Sequence, residues 1–100
     1  MYRRGQGVPQ DDKTAVKWYR LAAEQGYAPA QSNLGFMYSK GKGVMEDDVY
    51  AHMWYSIAAS SGNEGASKNR DTVAKFMLPS DISAAQKLAR ECVRKKYKGC

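Results

Sequence analysis

Residues 37–66 read MYSKGKGVMEDDVYAHMWYSIAASSGNEGA, and residues 1–30 read MYRRGQGVPQDDKTAVKWYRLAAEQGYAPA. The two segments are offset by 36 positions and share 14 identical residues in 30 aligned pairs. Unrelated sequences of average composition would share roughly two. Self-similarity at a period of about 20 to 50 residues indicates one supersecondary unit stacked on copies of itself. The 100 residues are therefore expected to form a single repeat domain.

Proline and glycine positions mark the first helix of the repeat. Pro29 suits the first turn of a helix, where its missing N–H leaves no bond unmade. Gly41 can supply the positive φ that ends a helix. Apolar residues between them recur at helical spacing. The sequence therefore predicts a helix over residues 28–39.

Each repeat continues into a second helix that an aspartate can cap. In the second copy this helix is predicted over 48–61, with an apolar stripe at helical spacing: Ala51, Trp54, Tyr55, Ala58 and Ala59. In the first copy it is predicted over 12–25, with the equivalent stripe: Ala15, Trp18, Tyr19, Ala22 and Ala23. Aromatic and alanine side chains at this spacing favour core packing over ligand stacking. The lone histidine, His52, lies beside the stripe and is expected at the surface.

The third unit departs from the repeat, because Arg70-Asp71 stands where the second copy has Leu34-Gly35. A helix over 64–77 still fits, with these apolar members: Ala66, Val73, Ala74, Phe76 and Met77. Ser80 is a good N-cap for a last helix over 81–97. Its inward residues are expected to be Ile82, Ala85, Leu88, Ala89, Cys92 and Val93. A degraded last unit with a polar face is typical of a solenoid end.

These elements predict an all-α fold, an α-solenoid of antiparallel helix pairs with about five helices. The expected division is a half repeat at 1–27, a full repeat at 28–62, and a degenerate repeat with a C-terminal cap at 63–100.

The second copy carries a spaced motif: Leu34-Gly35-x-x-Tyr38-x-x-Gly41-x-Gly43-Val44, then Asp48, Ala51, Trp54-Tyr55, Ala58-Ala59, Gly62 and Ala66. This motif resembles the Sel-one-like repeat (SLR) family, a 36-residue relative of the tetratricopeptide repeat. The resemblance covers residues 1–66, and residues 67–100 look like the cap that follows such repeats in bacterial proteins. Met1 aligns with Met37 inside the repeat, so we expect a C-terminal fragment of a longer repeat protein.

The resemblance implies a right-handed superhelical scaffold for protein–protein interaction, with a peptide or helix bound in its concave groove. It leaves open a β-lactam-binding or hydrolysing enzyme of the exported type, or a purely structural cap of a longer solenoid. The residues themselves favour a protein without enzymatic activity. The paired carboxylates, which could act in acid–base catalysis, each precede a predicted helix and are explained as helix caps. No catalytic residue, metal ligand or cofactor is assigned.

Alignment to the family's packing positions predicts the residues that face the groove: Ser32, Phe36, Ser39, Lys40, Lys68, Thr72 and Lys75. Phe36 is the favoured apolar anchor, with packing between repeats as its alternative role. The predicted partner is another protein or peptide. Self-association is also expected, through an apolar flank at the N-terminal end that includes Trp18 and has no earlier helix to cover it.

The net charge is +6, and residues 84–100 contribute +5 of it. Four basic residues fall on one helical stripe: Lys87, Arg90, Arg94 and Lys98. The stripe is either a solvated face near a helix C-terminus or a patch for an acidic partner or an anionic envelope surface. Nucleic acid is the less favoured partner, because no aromatic residues interleave the charges.

The two cysteines, Cys92 and Cys100, stand about 12 Å apart if the helix continues through both, since it rises about 1.5 Å per residue. A fold-back near Gly99 would allow a bridge, and free thiols or an intermolecular pair remain alternatives. The resemblance favours the bridge, because exported relatives carry disulfides. A bridge implies a periplasmic or secreted protein, with the cytoplasm as the alternative. No apolar run reaches the roughly 20 residues that span a bilayer.

Overall fold

The computed structural model describes residues 11–100, which form five α-helices: α1 (Asp12–Glu24), α2 (Ala28–Lys40), α3 (Asp48–Ser60), α4 (Glu64–Ala74) and α5 (Pro79–Arg94). Each helix packs on its neighbour in sequence from α1 to α4, and α5 packs on α3. The described residues are therefore the all-α solenoid that the repeat predicts. None of these helices is long and apolar enough to cross a membrane.

Short polar side chains fix where the helices start. Asp11 caps α1 by accepting a bond from the Thr14 N–H. A second bond, from the Thr14 hydroxyl, and this N–H bond together lower the pKa of the Asp11 carboxyl. Asp47 caps α3 in the same way, and Asn63 caps α4. Each carboxylate or amide satisfies a backbone donor that the first helical turn leaves free. The predicted starts of α1, α3 and α4 hold for this reason, whereas α2 starts without a side-chain cap and has Pro29 in its first turn.

The turn between α2 and α3 depends on two glycines in the left-handed region. Gly41, at φ 67°, ends α2. Gly43, at φ 73°, lies directly against the backbone of Asp12, where a Cβ atom would collide with the Asp12 carbonyl. Gly43 therefore lets the turn after α2 pack against the start of α1.

The core is centred on α3, which contacts α2, α4 and α5. Seven of its residues are buried: Ala51, His52, Met53, Trp54, Tyr55, Ile57 and Ala58. The prediction that His52 is a surface residue is wrong, since only 3% of it is exposed. A helix enclosed on several sides has no fully solvated face, so the apolar stripe alone underestimates its burial.

The two tryptophans of the repeat have different environments. Trp54 is fully buried, whereas its equivalent in α1, Trp18, is 64% exposed. Leu21 is also exposed on α1. The expected apolar flank at this end is confirmed, and the expectation that Trp18 packs in the core is wrong.

Two further apolar residues lie outside the core. α4 ends at Ala74, so Phe76 falls in the following turn and is 79% exposed rather than inward. Val93 occupies the last turn of α5 and is 47% exposed. Among the described residues no helix follows α5 to cover this side chain.

The chain folds back after α5. Lys96 and Tyr97 both adopt positive φ, and the Tyr97 N–H donates to the Cys92 carbonyl at 2.8 Å. The reversal brings Cys100 to Cys92, with Cα atoms 5.7 Å apart and the sulfur atoms at bonding distance. The predicted fold-back and intrachain bridge are therefore present. α5 ends before residue 97, so Lys98 lies beyond the helix and not on its basic stripe.

Candidate functional site

A groove of about 480 Å³ runs between α2 and α4. Four of the residues predicted to face it are in its wall, namely Phe36, Ser39, Lys40 and Thr72. Its other lining residues are Glu46, Asp48, Tyr55, Asn69, Val73 and Phe76.

The groove has an apolar base and two exposed aromatic residues. Tyr55 and Val73 are buried. Phe36, at 43% exposed, and Phe76, at 79%, leave much of their rings open to solvent. Phe36 therefore lies in the groove wall rather than wholly between repeats. A concave apolar surface with a few polar groups is the usual form of a ligand site.

Gly35 allows α2 to pack closely on Tyr55 at the base of the groove. A Cβ atom at this position would stand 2.7 Å from Cδ1 of Tyr55, so only glycine lets α2 approach this ring closely. Burial raises the pKa of the Tyr55 hydroxyl. The tyrosine consequently contributes to the groove as a neutral side chain at physiological pH.

The rim carries both signs of charge. Lys40, the last residue of α2, supplies a positive charge. Glu46, in the turn before α3, and Asp48, the first residue of α3, supply negative charges. The Nζ atom of Lys42 is 5.9 Å from the centre of the Phe36 ring, at the outer limit of a cation–π contact. A ligand would therefore meet a mixed-charge rim around an aromatic wall.

Three predicted groove residues, Ser32, Lys68 and Lys75, do not line this groove. Lys68 and Lys75 are exposed on α4 and at its C-cap. Thr72 does line it, although its hydroxyl donates to the Lys68 carbonyl at 3.1 Å and is thus already engaged.

Sequence reasoning missed Asn69 and Phe76. Asn69 is the 36-residue equivalent of Asn33, which lines an adjoining groove of about 220 Å³ together with Phe36. The recurrence of asparagine at this position could have indicated Asn69 as a groove residue. The sequence carried no such indication for Phe76, because the residue at its equivalent position is Lys40.

Among residues 11–100, no group of three or more histidine, cysteine, aspartate or glutamate side chains is arranged to hold a metal ion. The buried His52 has Ser56 as its neighbour, with Nδ1 and Oγ 3.3 Å apart. It lines a second cleft on the other side of α4.

The fold and the groove define an α-solenoid built from helix-pair repeats with an open surface between its units. The Sel1 repeat model matches residues 1–27 and 28–63. The chain belongs to the Sel1 repeat family, and repeats of this kind are generally scaffolds for protein–protein interaction. No curated protein sequence matches the chain significantly.

A solved structure supports the same fold. It is the crystal structure of c5321, described as a protective antigen present in uropathogenic Escherichia coli strains and displaying an SLR fold. The TM-score is 0.84 at 31% sequence identity, over 94% of this chain. The match spans 21% of that structure's chain.

Proposed function

We propose that this protein is a non-enzymatic interaction module that binds a short peptide segment in the groove between α2 and α4. The observation that carries the proposal is the pair of exposed aromatic rings, Phe36 and Phe76, in the wall of one concave surface. Exposed aromatic residues of this kind supply much of the binding energy at protein interfaces. An apolar side chain of the partner inserts between or against these rings.

The polar residues suit an extended backbone. Asn33 and Asn69 are exposed at equivalent positions of two repeats, and each lines a groove. A side-chain amide both donates and accepts, so each asparagine can pair with a peptide N–H and C=O. The two amides lie one repeat apart in two adjoining grooves that share Phe36, an arrangement that favours an extended peptide over a helix whose backbone groups are already bonded.

The test begins with peptides selected from a random library against the wild-type protein. Affinities are then measured by fluorescence anisotropy for Phe36→Ala and Phe76→Ala. We expect each variant to bind at least about tenfold more weakly, the usual effect of removing an aromatic anchor. Val93→Ala is the control, because Val93 is an apolar residue outside the groove whose exposure is close to that of Phe36.

Loss of affinity in the control but not in the phenylalanine variants would place the site elsewhere. Hydrolysis of a β-lactam by the purified protein at an enzyme-like rate would contradict a purely non-enzymatic role.

We also propose a periplasmic or secreted location, which rests on the Cys92–Cys100 bridge. Disulfides persist in oxidising compartments and are rare in the cytosol. Protein taken from its native source, alkylated while unfolded, should show no free thiol at either cysteine. Full alkylation of both residues would favour the cytoplasm.

A further inference from the structure

A second cleft, of about 590 Å³, lies on the side of α4 that faces away from the peptide groove. α4 separates the two surfaces, since Asn69, Thr72 and Val73 line the groove while the intervening Arg70 and Asp71 line the cleft. α3 and α5 complete the walls. The remaining lining residues are His52, Ser56, Ala74, Ile82, Gln86, Ala89 and Arg90.

Two arginines line this cleft from different helices, Arg70 from α4 and Arg90 from α5. Arg70 donates to Ser67 at 3.2 Å and pairs with Asp71 at 3.4 Å, which leaves other N–H donors of its five. Arg90 is exposed and makes no hydrogen bond or ion pair with the described residues. The planar guanidinium group of arginine can donate two parallel hydrogen bonds to two oxygen atoms of a carboxylate or phosphate group.

Charge and polarity favour an anion here. Of the residues that the structure describes, Asp71 is the only carboxylate in the cleft wall. Its side chain is 73% exposed, so water screens its ion pair with Arg70. Gln86 and Ser56 add neutral hydrogen-bonding groups. α5 carries three basic residues, Lys87, Arg90 and Arg94, against two carboxylates, Asp81 and Glu91, so its net charge is +1.

The buried His52 forms the inner wall. Burial lowers the pKa of its imidazole, the positive charge of Arg70 lowers it further, and Asp71 opposes these effects. Among the described residues, Arg90 is the other charged group that lines the cleft. The ring is consequently mostly uncharged near pH 7, so the two arginines supply the positive charge of the wall, and the titration of His52 reports on any anion that enters.

We propose that the cleft between α4 and α5 binds an oxyanion, a carboxylate or phosphate group, held by Arg70 and Arg90. This site is separate from the peptide groove and does not depend on it.

The test uses the single histidine of the sequence, whose ring ¹H–¹³C signal is unique. Inorganic phosphate and acetate are titrated separately, each against sodium chloride at matched ionic strength. We expect at least one of the two oxyanions to shift the His52 signal saturably and to raise the His52 pKa, because a bound negative charge offsets Arg70. Saturation by acetate identifies a carboxylate site, and saturation by phosphate alone identifies a phosphate site.

Arg90→Gln and Arg70→Gln should each weaken the binding at least about tenfold, as loss of a charge-assisted bond does. Lys17→Gln is the control, because it removes the same charge from an exposed position on α1. Circular dichroism verifies that each variant is folded, and Arg90→Gln alone is sufficient if Arg70→Gln unfolds. An equal shift with chloride, a non-saturating shift, or unchanged affinity in Arg90→Gln would overturn the proposal.

Discussion

The two tryptophans allow one residue type to be tested in two environments at the same position of the repeat. We predict that Trp54→Ala greatly destabilises the protein and that Trp18→Ala does so only modestly. Trp54 is fully buried in the core that includes Leu34 of α2, whereas Trp18 is 64% exposed. The repeat pattern alone would predict equal effects.

The expected magnitudes follow from burial. Removing a buried tryptophan side chain usually destabilises a protein by about 3–5 kcal/mol. Only about a third of Trp18 is buried, so the same scale gives about 1–2 kcal/mol for Trp18→Ala. Domains of this size have total stabilities of about 5–15 kcal/mol, and Trp54→Ala therefore removes a large share of the total.

Urea unfolding followed by far-UV circular dichroism measures both changes, and the tryptophan left in each variant gives a second signal by fluorescence. A difference of about 2 kcal/mol between the variants is expected. Equal losses within about 0.5 kcal/mol, or a larger loss for Trp18→Ala, would refute the reasoning from burial. Coincident transitions by the two signals would verify that the unfolding is two-state.

Three other features give shorter tests by the same urea method. Gly35→Ala should lower the free energy of unfolding by about 1–3 kcal/mol, because the added methyl group overpacks against Tyr55. Alanine normally stabilises a helix relative to glycine, so a gain in stability would contradict this prediction. The pKa of His52 lies below its ordinary value of 6.5 in the folded protein, so the unfolded state binds its proton more tightly. Stability should therefore fall as the pH drops below about 6.5, and His52→Gln should remove this part of the pH dependence. Reducing the Cys92–Cys100 bridge should remove about 2–3 kcal/mol, the loop-closure value for a bridge this short in sequence, and no shift on reduction would mean that the bridge is absent.

The positions of the helices could be predicted from sequence because their signals are local. Aspartate and asparagine caps act within three residues, and Gly41 ends α2 through its own backbone angle. The fold-back after α5 was predicted only in outline, since Lys96 and Tyr97 are not glycine and yet adopt positive φ. The fold-back brings the Tyr97 ring against Gly26 near the start of α2, a contact between distant segments that local reasoning does not detect.

The sites were harder to predict because they depend on which helices meet. His52 is buried because α4 and α5 pack on the central α3, and the stripe of α3 does not reveal this. The repeat pattern predicts that Lys68 and Lys75 face the groove. They do not line it, and the sequence of the third unit departs from that of the second. Phe76 enters the groove because α4 ends early, at Ala74.

The repeat separates the residues that build the solenoid from those that give the groove its chemistry. The residues that recur at an offset of 36 positions include those that turn and pack the second unit, such as Gly41, Trp54 and Ala58. The two aromatic residues of the groove, in contrast, do not occupy equivalent positions of the repeat. The equivalent of Phe36 is Thr72, and the equivalent of Phe76 is Lys40. The two rings are thus offset by four residues, roughly one helical turn, so they cannot bind identical side chains one repeat apart. Under the proposed function, a bound peptide would present apolar groups at an irregular spacing, which would make the groove selective for sequence although its scaffold is repetitive.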